Sequence, residues 1–221
     1  MPRQDFEHHL QTLQEELLTL GSLVEEAISR STDSLVNRNL ALARQVIAGD
    51  LIINKKRYDI EEMCVELIAT QQPMARDLRV IIAVLNMIVD LERIGDHAEG
   101  NAKIAIMIGD EPPLKPYVDV PRMSEKTKEM LRAALDAFVK RDADAARRVI
   151  AQDDIVDNLY DQVFRELLTY MAADPKTINR ATRLIWVAHN LERSADRVTN
   201  ICERTIFVIT GKVEEDGVSK Y

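Results

Sequence analysis

The amino-acid sequence predicts an all-α protein made of two tandem three-helix bundles, and three observations support this fold class. The 221 residues include only seven Gly, seven Pro and 5% aromatic residues, whereas 46% are hydrophobic, which favours helices around a sizeable core. Apolar residues recur at steps of three and four, the spacing of one helix face. Two short stretches of the first half recur in the second half, which indicates a duplicated unit.

Three helices are predicted in the first half. Apolar residues at steps of three and four indicate a helix over 6–37, which ends at the turn Asn37-Arg38-Asn39. A second helix follows over 40–70, and Pro73 marks its end. The third helix, over 74–109, carries an apolar stripe formed by Leu78, Ile81, Leu85 and Ile88.

The middle of the chain is rich in proline. Residues 111–121 contain four of the seven prolines, so we expect a non-helical linker there. Beyond it we predict three more helices, over 124–140 with Ser124 as its cap, over 142–172, and from Asp174-Pro175 to Gly211.

Sequence repeats relate the two halves. The pattern Ala-Arg-x-Val-Ile-Ala-x-Asp at 43–50 recurs 103 residues later at 146–153, with six identities in eight positions. A second pattern, at 90–96, recurs 100 residues later at 190–196. A pseudo-two-fold relation is the simplest way to pack two such halves. The predicted boundaries are a first bundle at 1–110, a linker at 111–121, a second bundle at 122–211 and a flexible tail at 212–221.

The second pattern carries two acidic residues in each copy. It reads Asp90-Leu91-Glu92-Arg93-Ile94-Gly95-Asp96 in the first copy and Asn190-Leu191-Glu192-Arg193-Ser194-Ala195-Asp196 in the second. A Glu and an Asp four residues apart lie about 40° apart on one helix face, so both carboxylates can approach one cation. Helical geometry also aligns these acids with the apolar stripe that faces the core. The candidate metal ligands are therefore Glu92, Asp96, Glu192 and Asp196.

The second helix of each half adds further oxygen atoms. Asp50 and Asn54 in the first half correspond to Asp153 and Asp157 in the second. If the second and third helices of a bundle lie side by side, these residues join the Glu and Asp of the third helix in one oxygen-rich cluster. Such clusters suit Mg²⁺, Ca²⁺, Mn²⁺ and iron. The alternative is that neighbouring arginines and lysines neutralise the acids as surface ion pairs, and the spacing alone leaves both interpretations open.

Composition and motifs argue against several other classes of protein. The formal net charge of −8 is unlike the basic surface that binds nucleic acid. A ferritin-like di-iron site needs histidine three residues after Glu92 and Glu192, where this sequence has Gly95 and Ala195. The sequence contains no Gly-rich phosphate loop, GxSxG or HExxH motif. We therefore expect a protein that is not an enzyme.

The sequence also indicates a soluble, cytoplasmic protein without membrane insertion. Its first seven residues carry charges and lack the apolar stretch of a secretory signal. The longest apolar stretch, 80–89, is interrupted by Asn86 and is too short to cross a bilayer. The two cysteines, Cys64 and Cys202, form no CxxC motif, so we expect them to be reduced residues that line the core.

The chain resembles the PhoU family of phosphate-transport regulators. The patterns at 90–99 and 190–197 carry this resemblance, together with Gln71-Gln72-Pro73-x-x-Arg76-Asp77-Leu78-Arg79, and it covers nearly the whole chain. It implies two three-helix bundles related by pseudo-symmetry, with E(D)xxxD motifs that bind metal ions. Asn54 stands where the family often has Asp, so the first site departs from the family pattern. The implied metal ligands in this sequence are Glu92, Asp96, Glu192 and Asp196, with Asp50, Asp153 and Asp157 from the second helices.

The resemblance also implies a function. PhoU-like proteins connect the phosphate ABC transporter, through its ATPase subunit, to a sensor histidine kinase. When phosphate is plentiful, they repress the phosphate-starvation regulon and limit uptake. We accordingly expect a cytoplasmic, non-enzymatic adaptor that forms a homodimer, carries Mg, Mn, Fe or Zn ions, and binds no nucleic acid. Two alternatives remain open, a metal-free helical adaptor and a metal-dependent enzyme that acts on phosphate esters.

Overall fold

The computed structural model describes residues 3–212 of the chain. Every regular element in this range is a helix, so the predicted all-α class is confirmed. The elements are α1 (Arg3–Val36), α2 (Leu40–Gln71), α3 (Ala75–Ile108), α4 (Asp119–Lys140), α5 (Ala143–Ile150), α6 (Asp153–Ala173), a short 3₁₀ helix (Pro175–Thr177) and α7 (Ile178–Thr210).

The helices form two bundles in chain order. In the first half α1, α2 and α3 pack on one another, and in the second half α4 and α7 pack together with the α5–α6 pair. Each bundle is stabilised by side chains from the apolar stripes, such as Leu17, Ile81 and Leu131, which are almost completely buried. Burying one such side chain contributes about 1.5–3 kcal/mol. Cys64 and Cys202 are also buried and unpaired, as expected.

The packing of α3 against α7 joins the two halves. Asn200 on α7 donates from Nδ2 to Asp90 Oδ1 on α3 at 3.1 Å. The repeat offset of 100 residues maps this pair onto Gly100 and Asn190, and a Cβ added to Gly100 would lie 3.2 Å from Asn190 Nδ2. α3 and α7 thus come into close contact at both matching pairs of positions, with the roles of the two helices exchanged. This confirms the predicted pseudo-two-fold relation.

A second contact between the halves joins α1 to α4. Arg132 of α4 donates to Glu25 of α1. At Gly21 the two helices approach so closely that an added Cβ would overlap the side chain of Leu135. The Leu135 side chain, and not the backbone conformation, limits the space at Gly21, because this residue lies within the regular helix α1.

The predicted start of the fourth helix is wrong. α4 begins at Asp119, and Ser124, the predicted cap, lies inside the helix with 3% exposure. Pro121 is compatible with the earlier start because it occupies the third helical position, where a backbone N–H has no intrahelical partner. Asp119 lies in the first turn, where a negative charge is favourable, and it accepts a hydrogen bond from Lys115 at 3.1 Å.

The predicted fifth helix, over 142–172, is interrupted. α5 ends at Ile150 and α6 begins at Asp153, whereas the matching helix α2 is continuous. At the interruption the Gln152 N–H donates to the Val149 carbonyl, three residues back instead of four. Neither Gly nor Pro marks this point, so the sequence pattern gave no sign of it. As a result, Asp153 lies in the first turn of α6.

Two predicted helix boundaries are confirmed by local geometry. Asn39 caps α2, because its Oδ1 accepts a hydrogen bond from Leu42 N at 3.0 Å. Gly211 follows α7 with φ 74°, a left-handed conformation that favours glycine. The predicted flexible tail over 212–221 lies outside the described residues except for Lys212. Between residues 3 and 212, no helix has both the length and the hydrophobicity needed to span a bilayer.

Enlarging Gly21 is expected to force α1 away from α4. In Gly21→Leu the new side chain overlaps Leu135, and overpacking of this kind costs about 1–3 kcal/mol of unfolding free energy. Urea unfolding followed by circular dichroism measures the loss. Adding Leu135→Ala should make the combined loss smaller than the sum of the two single losses.

The matched control for this substitution is Gly49→Ala. No atom of the described residues lies within 4 Å of a Cβ added to Gly49, so the change should raise stability by about 0.5–1 kcal/mol through helix propensity alone. A Gly21→Leu protein as stable as the wild type would contradict the close approach of α1 and α4.

Candidate metal centre

Four carboxylates meet where α6 packs against α7, and we call them the second cluster. Asp153 and Asp157 lie one turn apart at the start of α6, and Glu192 and Asp196 lie one turn apart on α7. Asp157 and Asp196 both act electrostatically on Asp153. Glu192 is influenced by all three of the others. The structure therefore brings together the four acids that the sequence singled out in the second half.

Burial and mutual repulsion make the second cluster hard to ionise. Burial, followed by repulsion from Asp157 and Asp196, raises the pKa of Asp153 to about 7. Burial and the neighbouring carboxylates also raise the pKa of Glu192 to about 7. Burial raises the pKa of Asp196 above its usual value. A bound cation would offset both penalties, because it coordinates the buried oxygens and balances their negative charge.

Two oxygens of the second cluster are buried without a hydrogen bond. Within the described part of the chain, Asp153 Oδ1 and Glu192 Oε2 have no donor in hydrogen-bonding geometry. His189 Nδ1 lies 3.1 Å from Glu192 Oε2, but that approach does not have the angles of a hydrogen bond. Burial, then the charge of Arg193, lowers the pKa of His189, which favours the neutral imidazole. A buried acceptor without a donor costs about 1–3 kcal/mol, and these oxygens fit a cation.

The matching position in the first half, between α2 and α3, holds Asp50, Asn54, Asp96 and Glu99, which we call the first cluster. Burial, then repulsion from Glu99 and Asp96, raises the pKa of Asp50. Asn54 Nδ2 donates to Asp50 Oδ2 at 2.7 Å, while Asp50 Oδ1 and Asn54 Oδ1 are buried with no partner among the described residues. Glu99 was not among the predicted ligands, although it lies seven residues after Glu92 and therefore on the same helix face.

Cations already neutralise much of the first half's acidic surface. Arg93 donates to Asp96 at 3.0 Å, and its Nε lies 3.7 Å from Glu92. Lys103 donates to Glu99 at 2.6 Å. Surface ion pairs, one of the two interpretations left open by the sequence, therefore occur in this half, and Glu92 lies beside an arginine.

The second cluster is the more negative of the two. Between the repeats Asn54 is replaced by Asp157, and Lys103 is replaced by Glu203. The charge of Arg193 lowers the pKa of Glu192, but burial and the other three carboxylates outweigh it. The second cluster is therefore the stronger candidate for a cation.

The side chains would have to move to surround an ion. As they stand, no group of three or more Asp, Glu, His or Cys residues within 3–212 is arranged to hold a metal. Like-charged carboxylates repel one another, so they converge on one point only when a cation offsets their charge. The residues available as ligands are Asp153, Asp157, Glu192 and Asp196 in the second cluster, and Asp50, Asp96 and Glu99 in the first.

Chelator-treated protein should lose stability as the pH rises from about 4 to 7. In the unfolded chain Asp153 and Glu192 ionise near their ordinary pKa values, whereas in the folded chain they keep their protons until about pH 7. The folded state therefore binds more protons across this window, and its advantage is lost as the pH rises through it. Thermal unfolding at pH 5 and pH 8 measures the effect against the Asp153→Asn/Glu192→Gln variant.

At pH 8 this variant should melt about 2–4 °C above the chelator-treated wild type, the shift that ~1 kcal/mol gives in a protein of this size. At pH 5 the two proteins should melt within about 1 °C of each other, because the carboxyl groups of the wild type are then protonated when folded. A wild type that melts above the variant at pH 8 would show that the carboxylates are not in mutual repulsion.

Comparison with known proteins assigns the family. A model of the PhoU domain matches residues 17–105 and 120–205. A phosphate-specific transport system accessory protein PhoU homolog from Aquifex aeolicus is 43% identical over 204 residues, which cover 92% of both chains. The phosphate-specific transport system accessory protein PhoU of Escherichia coli is 34% identical over 207 residues, covering 94% of this chain and 86% of that protein. Both relatives are named as accessory proteins of phosphate transport.

Solved structures agree with this assignment. The crystal structure of PhoU from Pseudomonas aeruginosa superposes with a TM-score of 0.89 at 38% identity, covering 94% of this chain and 100% of that one. The phosphate transport system regulatory protein PhoU from Streptococcus pneumoniae gives a TM-score of 0.89 at 30% identity, covering 95% of this chain and 99% of that one. The fold of this chain thus recurs in the solved PhoU structures, and this chain belongs to the PhoU family.

Proposed function

We propose that this protein is a metal-binding, non-enzymatic regulator of phosphate uptake. The metal part of this proposal is supported by two buried oxygens in a cluster of four carboxylates, Asp153 Oδ1 and Glu192 Oε2, for which residues 3–212 supply no hydrogen-bond donor. The part concerning phosphate rests on the relatives, which are named as accessory or regulatory proteins of phosphate transport.

The proposed ligands of the second site are Asp153, Asp157, Glu192 and Asp196, and the ion is Mg, Mn, Fe or Zn. A metal held by α6 and α7 together would cross-link two helices that otherwise repel each other at this point. Its binding would therefore stabilise the second half. Once the metal concentration exceeds the dissociation constant, the stabilisation would grow with the logarithm of that concentration. In the first site the ligands would be Asp50, Asp96 and Glu99. An ion there must compete with Arg93 for Asp96 and with Lys103 for Glu99.

We further propose that the chain works as an adaptor. It would connect the ATPase subunit of the phosphate ABC transporter to a sensor histidine kinase in the cytoplasm, and repress the phosphate-starvation response when phosphate is plentiful. Several large apolar side chains of the second half are exposed and available for such contacts, among them Ile155, Phe164, Leu168 and Trp186. The homodimer expected from the resemblance is part of this proposal.

A metal-free adaptor is the second candidate function. The ion pairs of Arg93 with Asp96 and of Lys103 with Glu99 favour it, because they neutralise the first half's acids without a metal. Under this alternative the carboxylates of the second cluster would bind directly to a basic surface of a partner protein.

Replacing two carboxylates should separate these candidates. In chelator-treated protein, Asp153→Asn/Glu192→Gln should weaken Mn²⁺ binding by about tenfold or more, because two charged ligands are lost from one site. Asp50→Asn should have a smaller effect, since ion pairs already occupy the first cluster. Isothermal titration calorimetry measures the affinities. The matched control is Glu62→Gln/Glu66→Gln, which removes the same number of charges from an exposed face of α2.

Mn²⁺ binding that is equally strong in the second-cluster variant and in the control would refute metal binding at this cluster. Elemental analysis of the untagged wild-type protein, purified without chelator, would then show whether any metal is carried elsewhere.

Partner binding should depend on the metal. We expect the metal-loaded protein to bind the transporter's ATPase subunit and the cytoplasmic part of the sensor kinase more tightly than the chelator-treated protein, by about tenfold, because the metal orders the surface next to the second cluster. Surface plasmon resonance with each purified partner measures this difference. Equal affinities for the two forms would favour the metal-free adaptor, and binding to neither partner would exclude both adaptor candidates.

A further inference from the structure

We propose that His189 is a metal ligand of the second cluster, so that the two halves carry chemically different sites. The second site would then combine one nitrogen with carboxylate oxygens, whereas the first site has oxygen ligands only. This inference rests on the proposed metal binding and adds to it a ligand and a metal preference.

The first support is the distance between two atoms. His189 Nδ1 lies 3.1 Å from Glu192 Oε2, a buried oxygen that receives no hydrogen bond from any described residue. Two ligand atoms bound to one ion at about 2.1 Å, with angles between 90° and 109°, lie about 3.0–3.4 Å apart. The imidazole nitrogen and the carboxylate oxygen are therefore already separated as two ligands of one metal would be.

The second support is the position of His189 on its helix. His189, Glu192 and Asp196 follow one another at steps of three and four on α7, which places them on one helix face. The charge of Asp196 also raises the pKa of His189, so the imidazole is within electrostatic range of a second carboxylate of the cluster. The ring also faces Tyr160 of α6, with ring centroids 5.7 Å apart, so it lies where the two helices meet.

The third support is the comparison between the repeats. The first half has Val89 at the position of His189, and Arg57 at the position of Tyr160. Val89 is exposed, and Arg57 forms an ion pair with Glu61 at 2.9 Å. The same backbone is thus built without an imidazole, so the fold does not require one at this place.

A nitrogen ligand changes which metal a site prefers. Imidazole binds Zn²⁺ and Fe²⁺ well, whereas carboxylate and carbonyl oxygens suit Mg²⁺ and Mn²⁺. The second site should therefore prefer Zn²⁺ over Mn²⁺ more strongly than the first. The sequence contained the signal for this, a histidine three residues before Glu192, but not the convergence of its ring on the carboxylate.

The test replaces His189 with the residue that the first half has. In chelator-treated full-length protein, His189→Val should weaken Zn²⁺ binding by about tenfold or more and change Mn²⁺ binding by less than about threefold, as measured by isothermal titration calorimetry. His189→Gln should behave in the same way, which separates loss of the ligand from loss of a polar side chain. The control is His9→Val, which removes an exposed histidine far from the cluster in sequence.

A spectroscopic measurement completes the test. In protein labelled with ¹⁵N-histidine, the imidazole signal that disappears in His189→Val should shift when Zn²⁺ is added and stay unchanged with Mg²⁺. Circular dichroism verifies that each variant is folded.

The outcomes separate this inference from the proposed function. An unchanged Zn²⁺ affinity in His189→Val overturns the inference, and if Glu192→Gln still weakens Zn²⁺ binding, the proposed function survives. If the wild type binds neither Zn²⁺ nor Mn²⁺, both are overturned.

Discussion

The packing of α3 against α7 holds the two halves together, and each of these two helices also carries acids of one cluster. The centre of this interface is polar. Asp90 is only 8% exposed, and both Arg197 and Asn200 donate to its Oδ1, at 3.3 and 3.1 Å. Burial raises the pKa of Asp90, while these donors oppose the shift. A buried carboxylate with fitted partners favours one helix register, because sliding one helix along the other would leave the charge unpaired.

The duplicated helix pattern serves two surfaces at once. Its first residue, Asp90 or Asn190, contacts the other half, where Asn190 donates to Asn101 at 2.8 Å. Its Glu lies two residues later, about 160° around the helix, and therefore turns towards the second helix of its own half. One side of each pattern thus packs against the other half. The side that carries the Glu lies towards the second helix of the same half. This explains why the pattern lies in the central pair of helices.

The two halves share a backbone but differ in the chemistry of their acidic clusters. Three differences have the same consequence: Asp157 replaces Asn54, Glu203 replaces Lys103, and His189 replaces Val89. Each adds a potential ligand or removes a cation in the second half. The fold accepts them because these positions lie in the partly exposed seam between two helices and not in the core. A regulator built in this way would have one strong and one weak metal site on a symmetric scaffold, and only its strong site would respond at low metal concentration.

The sequence by itself determined the helical class, the duplication and the four acids of the second cluster, because these follow from helical periodicity and from the repeats, which are local properties of the chain. In the first cluster it indicated Asp50 and Asp96 but not Glu99. It did not determine where α4 begins or where α5 ends. At the interruption after α5, Gln152 accepts a hydrogen bond from Lys126 of α4 at 2.8 Å, a contact between residues 26 positions apart that no local pattern contains. The tertiary structure alone decided which carboxylate oxygens are buried without a donor, which acids are paired with cations, and that His189 meets Glu192. Those properties arise from the distance and rotation between packed helices, and a carboxylate's pKa and its capacity to bind a metal depend on the solvent and charges that this packing leaves around it.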